Sequence, residues 1–333
     1  MTAKLKGLHI KSGSRSALGL ICLALICLFG CSPQQHSTHQ GNGQLFSGSY
    51  PIKIVCTTGQ VAEMLSRVGG EHVHVEALMG PGVDPHLYRP IASDVGKLND
   101  ADAIFYNGLH LEGRMTEMFV QMARQKATYA VTEGIVERND PRLREPPEFA
   151  GHYDPHLWHD VALWADCAKD VGKMLAAFDP THAEDLRKNA ADYSTELRDL
   201  DAYCKSQINK IPEESRVLVT AHDAFGYFGK AYGLEVFGLK GISTEDEIDL
   251  AHQEEIQKML VERKIPAVFV ESAVADRTVQ ALVEPCRAAG HDLKVPENEE
   301  LYADALGPAD TPESTYDGMI RHNVHTIVKY LSP

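Results

Sequence analysis

The chain contains one five-residue phrase twice, and each copy carries a histidine that could bind a metal ion. The copies are Asp84-Pro85-His86-Leu87-Tyr88 and Asp154-Pro155-His156-Leu157-Trp158. Proline fixes its own φ angle and pushes the residue before it into an extended conformation, so each phrase is expected to present its imidazole from a stiff loop. An isolated histidine is most often a structural residue. A repeated motif of this kind instead indicates a pair of metal ligands.

Two further side chains are candidate ligands. His222 follows the apolar run Val217–Thr220, so it is expected at the carboxyl end of a strand, and Asp304 lies in the stretch Leu301–Gly307. The four candidates are separated by 70, 66 and 82 residues, which is far too long for a zinc finger or for two histidines on one helical turn. Each ligand must therefore come from a different loop, and such loops meet in a crevice.

The elements that position these loops alternate along the chain. Helical periodicity follows most of the short β-rich runs, for example at 61–68 and 254–263. The predicted strands are Ile52–Thr57, His72–Leu78, Ala103–Asn107, Val217–Thr220, Leu234–Gly238 and Ala267–Glu271. This alternation predicts an α/β fold of βα units with parallel sheets, in which ligands lie beyond the carboxyl ends of the strands.

A segment of another kind separates the two halves. Residues 181–211 contain no glycine or proline and place apolar side chains three or four positions apart, which predicts one amphipathic helix of ~45 Å. A helix of this length could join two lobes, although it could also be a surface helix on a single sheet. The predicted divisions are a signal (1–30), a flexible tether (31–49), an N-terminal lobe (50–180), the linking helix (181–211) and a C-terminal lobe (212–333).

The N-terminus is predicted to be a targeting segment. Four basic residues precede the apolar run Ala17–Phe29, which is too short to cross a ~30 Å hydrocarbon core. The run ends in Leu28-Phe29-Gly30-Cys31, which resembles the lipobox of bacterial lipoproteins and makes Cys31 the expected lipidation site. The alternative is an ordinary secretory signal with an incidental cysteine.

Charge and cysteine usage exclude some functions. The formal net charge is −15, from 47 acidic and 32 basic side chains, so we expect cations as partners and no nucleic acid. No two cysteines beyond the lipobox have the two-residue spacing of a thiolate zinc site or redox motif, although one disulfide could form. Those cysteines are Cys56, Cys167, Cys204 and Cys286.

Taken together, these motifs resemble those of the manganese- and zinc-binding solute receptors of bacterial ABC importers, the TroA-like family. The resemblance extends from about Ile52 to the C-terminus. It is carried by both Asp-Pro-His phrases and by three further stretches. These are His222-Asp223-Ala224-Phe225-Gly226-Tyr227-Phe228, Gly241-Ile242-Ser243-Thr244-Glu245 and Tyr302-Ala303-Asp304-Ala305-Leu306-Gly307. The resemblance implies two βα lobes joined by a rigid helix, with a metal in the cleft between them held by His86, His156, His222 and Asp304.

The function implied is capture rather than catalysis. A lipid-anchored, exported receptor, expected to be a monomer, would bind Zn²⁺ or Mn²⁺ and deliver it to a membrane permease and its ATPase. Many manganese-dedicated members have glutamate at the position of His222. Three imidazoles and a carboxylate suit tetrahedral zinc, whereas two oxygens from Asp304 would give a five-coordinate site that accommodates manganese. Because imidazole ligates only when neutral, release is expected as the pH falls toward ~6.5 and below.

Carboxylates are expected to orient the imidazoles through their second nitrogen. The candidates are Asp160, Asp223 and Glu271. Three other functions are alternatives: a metallohydrolase, which would need an open coordination position; a receptor for a metal chelate such as a siderophore or corrinoid; and an additional role as an adhesin.

Overall fold

The first half of the described chain contains a four-stranded parallel sheet. The computed structural model describes residues 44–149, 151–275 and 277–332, so the predicted signal, Cys31 and most of the tether lie outside the described residues. The spatial order of the strands is β2-β1-β3-β4, with β1 paired to both β2 and β3. The strands are β1 Ile52–Cys56, β2 Val73–Ala77, β3 Ala103–Tyr106 and β4 Ala127–Ala130.

A second parallel pair, β5 Val217–His222 and β6 Glu235–Lys240, forms the sheet of the second half. The strand predicted at 267–271 differs in the structure. This segment is extended and donates from the Phe269 amide to the Val219 carbonyl (2.9 Å). Its pairing with the following chain is limited to two isolated bridges, at Ala267 and Glu271. Strand β4 was not predicted, because the run Ala127–Ala130 is short and has only one large apolar side chain.

Ten α-helices surround these sheets in the described residues. Their apolar faces supply most of the buried side chains, and the large core includes Trp158, Trp164 and Tyr316. The bounds are α1 Gly59–Gly69, α2 Ala92–Asp100, α3 Thr116–Ala123, α4 Glu133–Glu137, α5 Val161–Phe178, α6 Ala183–Ile208, α7 Gly226–Tyr232, α8 Leu250–Arg263, α9 Arg277–Ala288 and α10 Tyr316–Leu331. The α/β class with parallel sheets is confirmed.

The long helix predicted between the halves is α6. It has 26 residues, about 39 Å at ~1.5 Å per residue, and a short 3₁₀ turn, Pro180–His182, precedes it. The Asp179 carboxylate accepts the Thr181 amide (3.1 Å) at this turn, which stabilises the start of the helical segment. Helix α6 packs against α5, α1 and α10. It is therefore held along its length by elements from both halves of the chain.

The four cysteines beyond the predicted lipobox are buried free thiols in the structure. Burial raises the pKa of the Cys56 and Cys167 thiols well above the ordinary value, which keeps both protonated and unreactive. Within the described ranges, no helix combines the length and the apolar character needed to cross a bilayer.

Candidate metal centre

The four side chains singled out by their spacing come together in the structure. One ligand-type atom from each of His86, His156, His222 and Asp304 lies within 4.8 Å of the other three. All four residues are buried, with exposed fractions of 5%, 0%, 0% and 1%. Each comes from a different connection: the loop after β2, the start of a 3₁₀ turn before α5, the last residue of β5, and the segment that follows the bridge at Leu301.

Four distances between ligand atoms of the cluster, from 3.2 to 3.8 Å, are close to the spacing of ligands in a tetrahedral coordination shell. The His86 Nε2 atom lies 3.2 Å from His156 Nε2 and 3.8 Å from Asp304 Oδ2. Asp304 Oδ1 lies 3.5 Å from His156 Nε2, and Oδ2 lies 3.3 Å from His222 Nε2. Ligands ~2.0–2.1 Å from a tetrahedral zinc ion would be separated by about 3.3 Å. His222 Nε2 and both Asp304 oxygens have no hydrogen-bond partner, so these buried polar atoms are free to bind a cation.

The aspartate makes the same contact in both copies of the repeated phrase. Asp84 Oδ1 accepts the His86 amide at 2.9 Å, and Asp154 Oδ1 accepts the His156 amide at 3.0 Å. In both copies the carboxylate closes a tight turn that fixes the histidine backbone. The second copy does more, because Asp154 Oδ1 also lies 2.8 Å from His156 Nδ1. Asp154 therefore orients this imidazole, a role that the sequence reasoning missed although the repeat pointed to it.

Glu271 orients the third imidazole. Its carboxylate accepts the His222 amide at 3.0 Å and lies 2.5 Å from His222 Nδ1. The absence of a side chain at Gly238 on β6 makes room for the end of β5, because a Cβ at position 238 would lie 2.3 Å from the Asp223 amide nitrogen. The tautomer that these contacts favour carries the proton on Nδ1 and leaves Nε2 free to ligate.

The segment that carries Asp304 is attached to the second phrase. The Ala303 carbonyl accepts a hydrogen bond from the Trp158 indole at 2.8 Å and is 3.1 Å from His159 Nε2. His159 is fully buried and burial lowers its pKa to about 3. It is therefore a neutral structural histidine that holds the Asp304 segment in place.

The other two predicted carboxylates make different contacts. Asp160 is the N-cap of α5, where its side chain accepts the Leu163 amide at 2.9 Å; it stabilises the helix start instead of orienting an imidazole. Asp223 follows His222, and its Oδ2 lies 3.8 Å from Arg144 Nη2.

The three imidazoles differ in the direction in which their surroundings shift the pKa. Burial lowers the pKa of His86 to about 3. For His156 burial also lowers the pKa, but the hydrogen bond with Asp154 and the nearby carboxylate of Asp304 outweigh it and raise the value to about 9. Contacts with Glu271 and Asp304 raise the pKa of His222 in the same way. Burial raises the pKa of Asp304, yet the surrounding imidazoles lower it well below its ordinary value, so this carboxylate is ionised.

The cluster offers four protein ligands, three imidazole nitrogens and a carboxylate, which is the number that a tetrahedral zinc shell takes. Comparison with known proteins agrees with a transport role. Residues 54–330 match the family model described as zinc-uptake complex component A, periplasmic.

Relatives cover most of the chain. It is 42% identical over 286 residues to the manganese-binding lipoprotein MntA of Bacillus subtilis (strain 168), covering 86% of this chain and 91% of the relative. It is also 42% identical over 279 residues to the zinc-binding protein TroA of Treponema pallidum (strain Nichols), covering 84% and 88%. The solved structure of the periplasmic zinc-binding protein TroA from Treponema pallidum superimposes with a TM-score of 0.79, at 41% identity, over 85% of this chain and 99% of that chain.

The fold, the buried cluster and these matches define a class: the substrate-binding proteins of metal ABC importers. Within that class, the chain belongs to the family described as zinc-uptake complex component A, periplasmic.

Proposed function

We propose that the protein captures one Zn²⁺ or Mn²⁺ ion outside the cytoplasm and delivers it to a membrane permease. The observation that carries this proposal is the convergence of His86, His156, His222 and Asp304 within 4.8 Å in a buried cluster. The ion is the transported substrate, and these four side chains are its proposed ligands. Relatives named for manganese and for zinc support both ions.

Affinity favours zinc within this ligand set. Imidazole-rich sites follow the Irving–Williams order, in which Zn²⁺ binds more tightly than Mn²⁺. Both oxygens of Asp304 face imidazole nitrogens, at 3.3 to 3.8 Å, so the same carboxylate can also ligate through two oxygens. A two-oxygen mode would give the higher coordination number that manganese accepts.

The ion is proposed to bind bare and not as a chelate. All four ligand groups are at most 5% exposed, and the distances between them leave room for a single ion. A siderophore or corrinoid would need a wide cleft. The filled shell also supports a receptor that hydrolyses nothing. Isothermal titration of the metal-free protein with ZnCl₂ tests the proposal: we expect one equivalent per chain, and no stoichiometric binding would contradict it.

The proposed partners and location follow from the family. Members of this class serve a permease with an ATPase, and relatives such as MntA are named lipoproteins. We propose that Cys31 is lipidated and that residues 31–49 connect the membrane to an exported monomer. Radiolabelled palmitate in cells should label the wild type and not Cys31→Ala.

Release of the ion is proposed to involve small movements. Residues 50–180 and 212–333 would act as two lobes, and α6 between them contacts α5, α1 and α10. A continuous helix packed on several sides resists wide bending, so the loops that carry the ligands are expected to move more than the lobes. Small-angle scattering with and without Zn²⁺ should give nearly equal radii of gyration; a closure of tens of degrees would contradict this.

Replacing Glu271 with glutamine is expected to weaken metal binding by about 10- to 100-fold, the usual effect of losing a carboxylate that orients a ligating histidine. The Glu271 carboxylate places a negative charge beside His222 and makes two contacts with it, one with the backbone amide and one with Nδ1. The matched control is Asp160→Ala, which removes the α5 cap. That control should cost about 1 kcal/mol of stability and leave the affinity unchanged. Chelator competition measures the affinity and thermal unfolding the stability; equal effects of both variants on affinity would contradict the assignment.

Metal affinity is expected to rise with pH well beyond the ordinary histidine range. The pKa of His156 is about 9 and that of His222 is also raised, so the metal-free protein holds protons on both near neutral pH. Each proton that the ion displaces makes the affinity fall about tenfold per pH unit as the pH drops. His86, with a pKa of about 3, contributes nothing above pH 5. Competition with a chelator of known pH dependence, from pH 6 to 8.5, measures the slope; a flat profile would be inconsistent with this site.

A further inference from the structure

Arg144 lies beside the proposed site and is not one of its four proposed ligands. Its guanidinium forms an ion pair through Nη1 with Asp154 Oδ2, while Asp154 Oδ1 faces His156 Nδ1. Its Nη2 lies 3.8 Å from Asp223 Oδ2, and Asp223 follows His222 in the chain. One guanidinium thus lies close to carboxylates associated with two proposed ligands from different halves.

The backbone around Arg144 is fixed in the same place. The Asp154 amide donates to the Arg144 carbonyl at 2.9 Å. The Tyr227 hydroxyl accepts the Arg144 amide at 3.1 Å and donates to the Asp154 carbonyl at 3.1 Å. These contacts tie the segment before the second phrase to α7 in the other half of the chain.

Gly226 provides the space that the guanidinium occupies. A Cβ on residue 226 would lie only 1.3 Å from Arg144 Nη1. Any side chain at this first position of α7 would therefore displace the guanidinium from Asp154. Because the displaced group is the flexible end of a long side chain, the backbone need not move.

The positive charge of Arg144 offsets negative charge near the proposed site. Three carboxylates contact the imidazoles: Asp154, Glu271 and Asp304. A divalent ion would supply two positive charges beside these carboxylates, and Arg144 adds one beside Asp154. Asp154 is fully buried, and removing the partner of a buried carboxylate leaves a charge that the protein interior cannot solvate.

We propose that Arg144 is a positioning residue for the metal cargo. It holds the Asp154 carboxylate so that His156 keeps its Nδ1 proton and presents Nε2 to the ion, and it couples this imidazole to the His222 side of the site. The proposal rests on the proposed four-ligand site. The mutation of Arg144 should therefore change metal retention although Arg144 is not a ligand.

The first test compares two substitutions of Arg144 with a matched control. Arg144→Gln should speed Zn²⁺ dissociation, followed by chelator stopped flow, by about 10- to 100-fold, and Arg144→Lys should restore part of the loss because the charge is kept. The control is Arg142→Gln, two residues away. Arg142 bonds Asp140 and Asp166, so this variant should dissociate like the wild type. The Co²⁺ absorption spectrum should change in Arg144→Gln and not in Arg142→Gln, since a purely structural arginine would not alter it.

The second test moves the guanidinium without removing its charge. Gly226→Ala should reproduce the faster dissociation of Arg144→Gln, and it should add little in the Arg144→Gln background, because both variants remove the same contact. If Arg144→Gln does not fold, the dissociation rate of Gly226→Ala compared with that of the wild type still tests the proposal. Equal dissociation rates in wild type, Gly226→Ala and folded Arg144→Gln would overturn the role of Arg144. A wild type that binds no Zn²⁺ would overturn the proposed function instead.

Discussion

Replacing Asp304 with alanine is expected to weaken Zn²⁺ binding strongly. Asp304 is the one carboxylate among the four proposed ligands, and its two oxygens lie 3.3 to 3.8 Å from all three imidazoles. Losing one partner of a buried charged contact costs about 3–5 kcal/mol, and each 1.4 kcal/mol is about tenfold in affinity. The dissociation constant for Zn²⁺ should therefore rise by about a hundredfold to several thousandfold, as measured by competition with a chromogenic chelator.

The matched control for this prediction is Asp310→Ala. Asp310 is exposed on the same connection, six residues further along the chain. It carries the same charge as Asp304, so its loss separates a ligand effect from a change in net charge. The control should bind zinc like the wild type. Full affinity in Asp304→Ala, with the protein folded, would show that the ion binds elsewhere.

The His222→Glu substitution is expected to shift selectivity from zinc toward manganese. Carboxylate oxygens suit Mn²⁺ better than imidazole does, and they remove the advantage that the Irving–Williams order gives to zinc. The ratio of Zn²⁺ to Mn²⁺ affinity should fall by at least about tenfold, which corresponds to 1.4 kcal/mol or more. Direct competition of the two ions at pH 7.5, followed by metal analysis, measures this ratio.

The contacts of His222 indicate that this substitution should be combined with a second one at Glu271. Glu271 lies 2.5 Å from His222 Nδ1, so a new carboxylate at position 222 would face the carboxylate of Glu271 in a buried environment. Like charges at this distance disfavour each other. The double variant His222→Glu with Glu271→Gln removes this repulsion and should bind Mn²⁺ more tightly than His222→Glu alone. An unchanged metal ratio in both variants would mean that the third ligand does not set selectivity.

The sequence pointed to His86, His156 and His222 through motifs that have a physical reason. The repeated Asp-Pro-His phrase marks two stiff turns, and the position of His222 after an apolar run marks the end of β5. The resemblance to a known family then selected Asp304. The same sequence placed α6 within a few residues, since a long segment without glycine or proline has few other structures open to it.

What the sequence could not supply were contacts between distant segments. Asp160 and Glu271 are both carboxylates near strand or helix ends, yet only Glu271 reaches an imidazole, because Asp160 caps α5. Arg144 and Gly226 are 82 residues apart and meet only in the folded chain. The pairing of the segment 267–271 likewise depends on distant segments: it is limited to bridges at Ala267 and Glu271, which its own apolar pattern does not predict.

The most direct test of the account is a crystal structure of the zinc complex with anomalous diffraction collected at the zinc absorption edge. We expect one strong anomalous peak per chain, about 2.0–2.2 Å from an Nε2 atom of each of the three histidines and from an oxygen of Asp304. A peak bound by other side chains, or no peak after soaking with one equivalent of zinc, would contradict the four-ligand capture site.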